Sequence, residues 1–164
     1  MDKPLTQKKP PGGLLRVFLR IPILFYKIGF GFVFGKLFLM LTHKGRVSGL
    51  MRNVVLEVVG HDKDTGTYYI ASGWGRQSNW YKNVLINQMV GVHVSTKKFE
   101  AIARELDKEE AGKILFKHAK RYRGFFNIIS RRIVGKTLEF SEESCMILAE
   151  FMPVVSLTPN YIIN

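Results

Sequence analysis

The feature that most restricts the fold is a series of short strand-like segments, several of which are apolar on both faces. They lie at 37–42, 54–59, 67–72, 90–95, 99–106 and 153–158. Val, Ile, Tyr and Phe are frequent in them, and turn-forming residues separate them. A strand that is apolar on both faces must be buried on both faces, which a closed or half-closed antiparallel barrel achieves. The sequence therefore predicts a small β-barrel.

Two helical segments are expected to interrupt these strands. One spans 78–87 and starts with a Ser cap. The other spans 107–123, where Asp107 and Glu110 have the spacing of a capping box. Gly124 follows this segment and is expected to end the helix.

The remaining part of the chain completes the predicted domain. Residues 125–150 are predicted to be helical, with Ser141 as a cap. No linker or internal repeat divides the sequence, so residues 41–164 are predicted to form a single cofactor-binding barrel domain. The predicted fold class is mainly β with flanking helices (α+β).

The N-terminal part of the sequence has a different character. Residues 1–13 are polar and are predicted to form a flexible tail. Residues 14–40 are apolar and aromatic, but charges interrupt them too often for a bilayer span of roughly 20 residues. On a helical projection Arg16, Arg20 and Lys27 share one side and aromatic residues lie opposite, which is typical of a helix lying in a membrane interface. An amphipathic helix packed on the domain core would show the same pattern, so both interpretations stay open.

Charge and cysteine content narrow the classes of partner. The net charge is +12, and residues 117–136 carry seven cations and no acid. Such a surface attracts polyanions: nucleic acid, anionic lipid, or a small molecule rich in phosphate and carboxylate. No strand interleaves aromatic and basic residues as base stacking requires, so a nucleic-acid partner is not predicted. The single Cys145 and the scattered His residues predict neither a disulfide nor a metal site, and they favour a reducing, cytoplasmic location.

A polar, cationic turn lies between the first two predicted strands. Its sequence is HKGRVSGLMR, in which Gly45 and Gly49 leave backbone N–H groups unshielded. Arg46 and Arg52 can each give bidentate hydrogen bonds to a phosphate, and Ser48 adds a hydroxyl donor. The spacing is not that of a P-loop, and a strand rather than a helix follows. The turn is predicted to be a phosphate cradle, although an exposed hairpin would have the same composition.

A second donor-rich turn, ASGWGRQSNWYKN at 71–83, joins a predicted strand to a predicted helix. Ser72, Gly73 and Gly75 offer hydroxyl and amide donors, and a helix N-terminus follows. Trp74 and Trp80 offer flat surfaces on which a ring could stack. The two turns together predict a site for a planar cofactor that carries phosphates.

These motifs, in this order and spacing, are similar to those of the deazaflavin-dependent nitroreductase family. The resemblance covers about residues 41–122, and the family's G-R-[KR]-[ST]-G-x-x-R signature falls on Gly45 to Arg52. It implies a split β-barrel of the flavin-reductase and pyridoxamine-phosphate-oxidase type, with coenzyme F-420 as cofactor and FMN as the alternative. It also implies a reductase that transfers a hydride to a quinone, a nitroaromatic compound or a similar electrophile.

The resemblance also implies roles for individual residues. Tyr122 is the candidate proton donor. Val47 stands where the family usually has a cation, so a lipid- or fatty-acid-binding barrel without catalysis stays open as an alternative. The other expected partners are a small-molecule substrate, an anionic membrane surface and a second copy of the chain. The residues expected to contact the cofactor are Lys44, Gly45, Arg46, Val47, Ser48, Gly49, Arg52, Ser72, Gly73, Trp74, Gly75, Asn79 and Trp80.

Overall fold

Six antiparallel strands close on themselves in the computed structural model, which describes residues 21–160 apart from the side chain of Phe125. The strands are β1 (Phe38–Lys44), β2 (Met51–His61), β3 (Tyr68–Ala71), β4 (Met89–Val94), β5 (Lys97–Glu105) and β6 (Val154–Pro159). Their order around the barrel is β1-β2-β3-β6-β5-β4, and pairing of β4 with β1 closes it. The predicted fold class is confirmed.

Within residues 21–160, five α-helices and three short 3-10 helices accompany the strands. The α-helices are α1 (Ile21–Lys27), α2 (Asn79–Ile86), α3 (Lys108–Ala119), α4 (Arg123–Val134) and α5 (Glu142–Phe151). The 3-10 helices are Phe30–Phe34, Gly75–Gln77 and Lys120–Tyr122.

The buried apolar residues of the described chain form two hydrophobic cores, one inside the barrel and one beneath its helical cover. The inner core contains the inward-facing residues of the strands, such as Leu41, Val92 and Leu157, together with Trp80 and Tyr81 of α2. The outer core lies between the barrel and helices α3, α4 and α5. The strands therefore have an apolar partner on each face, which explains why they carry apolar residues on both sides.

Helix boundaries agree with the sequence prediction at the starts and differ at one end. Asp107 accepts a hydrogen bond from the Glu110 amide (2.8 Å), and the capping box is complete. Ser141 likewise caps α5 by accepting from the Ser144 amide (3.0 Å). The prediction that Gly124 ends the long helix is wrong: α3 ends at Ala119, and Gly124 lies in the first turn of α4. A 3-10 turn at Lys120–Tyr122 joins the two helices, and Gly124 is accommodated in α4 because a helical Gly costs only about 1 kcal/mol relative to Ala.

The described part of the N-terminal segment is α1 followed by a 3-10 helix. Gly29, with φ 89°, separates the two, so the residues from 21 onward do not continue as one helix. Tyr26 is buried and donates a hydrogen bond to the Phe38 carbonyl (2.7 Å), which attaches α1 to the barrel. Arg16, Arg20 and the tail at 1–13 lie outside the described residues.

The same segment leaves a large apolar surface uncovered. We call it the N-terminal apolar surface; its members are Ile21, Leu24, Phe25, Ile28, Phe30, Phe32, Val33, Leu37 and Phe38. Between residues 21 and 160, no helix is long and apolar enough to cross a membrane. Over that same range, no group of three or more His, Cys, Asp or Glu residues is placed to hold a metal ion.

Candidate functional site

The two donor-rich turns meet at one end of the barrel. Because β1, β2 and β3 are antiparallel neighbours, the end of β1, the start of β2 and the end of β3 lie on the same side. Helix α2 closes this end by inserting Trp80, Tyr81 and Val84 into the inner core. The turn at 45–50 and the loop at 72–78 therefore flank the same helix.

Two glycines shape the turn at 45–50 for different reasons. Gly49 has φ 67°, in the left-handed region that side chains rarely adopt. A Cβ atom on Gly45 would lie 2.8 Å from the Ser48 Oγ and 3.2 Å from the Leu50 carbonyl oxygen. The Gly45 amide donates to the Leu50 carbonyl (2.8 Å), and the Gly49 amide donates to the Gly45 carbonyl (2.8 Å). These amides are used within the turn, so an anion here would be held mainly by side chains.

Arg46 is fixed against α2. Its Nη1 donates to the Asn83 Oδ1 (2.9 Å), which also accepts from the Arg46 backbone N–H (3.1 Å). The Asn79 Oδ1 lies 3.3 Å from Nη2 and 3.4 Å from Nη1. Both partners are neutral amides, so no negative charge compensates the positive charge of the guanidinium.

Arg52 lies at the start of β2 beside the same turn. Its Nη2 donates to the Ser48 Oγ (3.3 Å). Since that oxygen accepts from Arg52, the Ser48 hydroxyl hydrogen is available to a ligand. Within residues 21–160, neither Arg46 nor Arg52 forms an ion pair with a carboxylate. The exposed Lys44 and Val47, the latter 89% exposed, complete the rim of the turn.

His43 forms a buried hydrogen bond with Asn83. Its Nδ1 lies 3.1 Å from the Asn83 Nδ2, and both residues are buried. The Asn83 oxygen faces the donors of Arg46, so its nitrogen must donate to His43, and the His43 Nδ1 must carry no proton. Burial is the main reason why the pKa of His43 is lowered, and the charge of Arg52 lowers it further. This neutral state is the one that the hydrogen bond requires.

The histidines predict a pH dependence of stability. Burial also lowers the pKa of His61 and His93. Below the ordinary histidine pKa of about 6.5, the unfolded chain then binds more protons than the folded one, so the free energy of unfolding should fall as pH decreases through that value. Urea unfolding at several pH values between about 7.5 and 5 measures this, above the range where carboxylates titrate. Stability that stays constant or increases toward pH 5 would contradict it.

The loop at 72–78 is held together by its own predicted donors. Ser72 is only 1% exposed; its Oγ lies 2.6 Å from the Ser78 Oγ and 2.7 Å from the Gly75 carbonyl oxygen, to which it donates. Ser78 therefore occupies the N-cap position of α2 without a side-chain capping bond, which differs from the sequence prediction. Gly75 has φ 60° and is buried. Ser72 and Gly75 shape the loop, and their donors are directed inward.

The aromatic residues of this loop divide between core and surface. Trp80 is 8% exposed and belongs to the inner core, because the barrel needs a large apolar side chain at this end. Trp74 is half-buried, and no atom lies within 4 Å of a Cβ built on Gly73. Gly73 and Trp74 are therefore the part of the loop that a flat ligand can approach.

Tyr122 is not linked by hydrogen bonds to either turn. It is 42% exposed, and its ring centroid lies 5.4 Å from that of His118. The His118 Nε2 lies 3.4 Å from the Glu57 Oε1, and Glu57 alternates with the inward-packed Leu56 and Val58 on β2. Tyr122 is therefore on the side of the barrel that α3 covers.

Sequence reasoning missed Asn83 and Arg76 at this end of the barrel. Asn83 follows Asn79 by four residues, and that helical spacing was the available signal. Arg76 forms an ion pair with Glu105 (2.8 Å) and donates a hydrogen bond to the Tyr81 hydroxyl (2.6 Å). The local sequence pattern does not predict these contacts. Burial, aided by Glu105, raises the pKa of Tyr81. Arg76 is thus neutralised, in contrast to Arg46 and Arg52.

Solved structures with this fold include an F420-H2 dependent reductase that is 24% identical, with 75% of this chain and 95% of that chain covered and a TM-score of 0.50. A domain-swapped dimer is 23% identical, with coverages of 75% and 81% and a TM-score of 0.52. HutZ, the heme storage protein from Vibrio cholerae, is 14% identical, with coverages of 79% and 86% and a TM-score of 0.52. At these identities the likeness shows the fold.

The sequence itself matches a family. No curated protein matches the chain. Residues 27–129, more than half of the chain, match the family model of F420H(2)-dependent quinone reductase, in agreement with the resemblance that the two turns carry. The chain therefore belongs to the F420H(2)-dependent quinone reductase family and is a reductase whose cofactor is coenzyme F-420.

Proposed function

We propose that this reductase transfers a hydride from reduced F-420 to a quinone, a nitroaromatic compound or a similar electrophile. In this proposal Arg46, Ser48 and Arg52 hold the cofactor phosphate, and the loop at 72–75 lies against the deazaflavin. The cofactor supplies the hydride, and the protein binds it, orients it and keeps water away.

One observation carries the placement of the cofactor. Arg46 lies on the turn at 45–50 and Arg52 lies beside it at the start of β2; both are exposed and have no carboxylate partner among residues 21–160. F-420 carries a phosphodiester and several glutamates, which suit two unneutralised guanidinium groups. The cofactor thus fits the residues that are present.

The remaining predicted contacts divide by exposure. Lys44, Val47 and Gly49 are exposed on the turn and are proposed to line the phosphate end. Gly73 and Trp74 are proposed to face the deazaflavin ring. Gly45, Ser72, Gly75 and Trp80 are buried and are proposed to shape the site.

A groove beside Arg52, with apolar residues on one part of its lining and cations on the other, is a candidate site for the electrophile. It has a volume of about 390 Å³ and is lined by Ile23, Leu24, Lys27, Met51, Arg52 and Asn53. Small-molecule sites are mostly apolar with a few polar groups and have volumes of about 300–1,000 Å³. We propose that the electrophile enters here. Tyr122 stays the proposed proton donor, supported by the exposure of its side chain.

Fluorescence titration tests the cofactor assignment. Wild-type protein is titrated with F-420 and, separately, with FMN, and the tryptophan signal is followed. We expect saturable quenching by F-420, because Trp74 is half-buried beside the proposed ring site. Tight FMN binding with no response to F-420 would overturn the assignment. Organic extraction and mass spectrometry then test the fatty-acid alternative, which would require a stoichiometric lipid.

We also propose that the protein associates peripherally with anionic membranes at the cytoplasmic face. The N-terminal apolar surface contains nine exposed large apolar residues, and Lys27 and Lys36 are exposed in the same segment of the chain. Apolar residues with adjacent cations are the combination that favours an anionic bilayer interface. Such an orientation would place the groove beside Arg52 near lipid-dissolved quinones, since Leu24 belongs to both surfaces.

Vesicle sedimentation with a double variant tests this association. We expect Leu24→Glu with Ile28→Glu to reduce binding to anionic vesicles at least fivefold, because burial of each side chain contributes about 1.5–3 kcal/mol. The control is Ile102→Glu with Ile128→Glu, which places the same two charges at exposed apolar positions on β5 and α4. Equal loss in the control, or no loss in the double variant, would contradict the proposal.

A homodimer is the assembly that we propose. A solved structure with this fold, 23% identical, is a domain-swapped dimer, and the outer side of β1, β4 and β5 offers an open groove of about 550 Å³ that includes Met40, Thr42 and Gly91. Light scattering in solution should give twice the 18.8 kDa chain mass.

A further inference from the structure

Arg46 is held by amides where a carboxylate would be expected. Exposed arginines near a helix commonly pair with acids, as Arg76 does with Glu105 and Arg104 with Glu110. Arg46 instead meets the side-chain oxygens of Asn79 and Asn83 at 2.9–3.4 Å. Both asparagines lie on α2, one turn apart, so a rigid helix presents them together.

The orientation of this pair is determined by buried contacts. The Asn83 Oδ1 accepts from two groups of Arg46, and its Nδ2 donates to the His43 Nδ1. Asn83 is 5% exposed and His43 is 3% exposed, so water does not compete for these groups. A flip of the Asn83 amide would set its N–H groups against the donors of Arg46 and is therefore unfavourable.

We infer that Asn79 and Asn83 are positioning residues that fix the Arg46 guanidinium without neutralising it, with His43 fixing Asn83 in turn. This inference rests on the proposed function, in which Arg46 binds the cofactor phosphate. We call this arrangement of Asn79, Asn83 and His43 the neutral clamp. It restricts the Arg46 side chain before the ligand binds, so less side-chain entropy is lost on binding. It also leaves the positive charge of Arg46 available to the anion. Asn79 then acts through Arg46, rather than by touching the cofactor.

The clamp predicts that an acid at position 79 is harmful to binding although it is harmless to folding. Asn79→Asp would keep the oxygen that Arg46 contacts and add a negative charge beside the guanidinium. The position is exposed and is the first residue of α2, where an acid is favourable to the helix. We expect F-420 affinity to fall about tenfold, equivalent to about 1.4 kcal/mol, with an unchanged or higher Tm.

Two controls separate charge compensation from other causes. Asn79→Ala removes the amide and adds no charge, so we expect a loss of at most about threefold while Asn83 still holds Arg46. Lys82→Gln changes the net charge by the same amount as Asn79→Asp, on an exposed position of the same helix. If the net positive charge of the protein were the cause, Lys82→Gln and Asn79→Asp would weaken F-420 binding equally. The clamp instead predicts a loss of affinity only in Asn79→Asp.

The experiment is a fluorescence titration of the four proteins with F-420 at two salt concentrations, with Tm measured in the absence of ligand. The Asn79→Asp protein should also show a weaker dependence of affinity on salt, because one cation is compensated. Equal affinity of wild type and Asn79→Asp would overturn the inference. If wild type itself does not respond to F-420, the proposed function fails. The clamp is then tested with inorganic pyrophosphate, which must raise the Tm of wild type but not the Tm of Asn79→Asp. Any other result with pyrophosphate would overturn the inference as well.

Discussion

Replacing Arg46 and Arg52 together with alanine should lower the affinity for F-420 about 100-fold or more and leave the barrel folded. A hydrogen bond to a charged group contributes about 1.5–3 kcal/mol, and exposure reduces that value. Two such contacts then amount to about 2.7 kcal/mol, which corresponds to 100-fold. The fold should survive because the Arg46 backbone N–H still donates to the buried Asn83 oxygen (3.1 Å). Fluorescence titration and circular dichroism measure the two expectations.

A second pair of arginines supplies the control for this experiment. Arg131 and Arg132 are exposed on α4, and their replacement by alanine removes the same two charges from the protein. A general electrostatic attraction would weaken in both double variants, and it would weaken equally at higher salt. A loss confined to Arg46 and Arg52 supports a defined phosphate site. Comparable losses in the two double variants would mean that the turn is only part of a diffuse basic surface.

The barrel was predictable from sequence because its determinants are local. Each strand has its own apolar pattern on two faces, and Asp107 and Ser141 each have the partner of their cap three residues away. The closing pair of β1 with β4 depends on residues about fifty positions apart, such as Met40 and His93, and follows only once the barrel is assumed. Fold class therefore follows from short-range patterns, and the exact helix ends do not.

The candidate site was predictable as a pair of turns but not as a set of side-chain roles. Ser72 looked like a ligand donor, yet the loop uses its hydroxyl to close on Ser78 and Gly75. Trp80 looked like a stacking surface, yet the barrel end needs it as core. In both cases a tertiary demand for burial or for a hydrogen-bond partner outweighed the local pattern. Arg46 is exposed, and its charge is not compensated because its partners, Asn79 and Asn83, are neutral.

The helical cover of the barrel depends on one close approach that the sequence does not reveal. Helices α3 and α5 meet at Gly112, where a Cβ atom would lie 2.5 Å from the Met146 Cγ. The same Cβ would lie 3.0 Å from the Met146 Cα and 3.1 Å from its backbone nitrogen. The Met146 side chain can move aside, but the backbone atoms can be relieved only by a shift of one helix against the other.

Gly112→Ala should therefore destabilise the protein, although alanine favours a helix. Overpacking costs about 1–3 kcal/mol, and we expect a net loss of about 2 kcal/mol in urea unfolding. Gly124→Ala is the matched control, because nothing lies within 4 Å of its Cβ and it too is helical. That variant should gain about 0.5–1 kcal/mol. Equal stability of the two variants would show that α3 and α5 can separate freely. A normal F-420 affinity in folded Gly112→Ala would show that the helical cover and the cofactor end of the barrel are energetically independent.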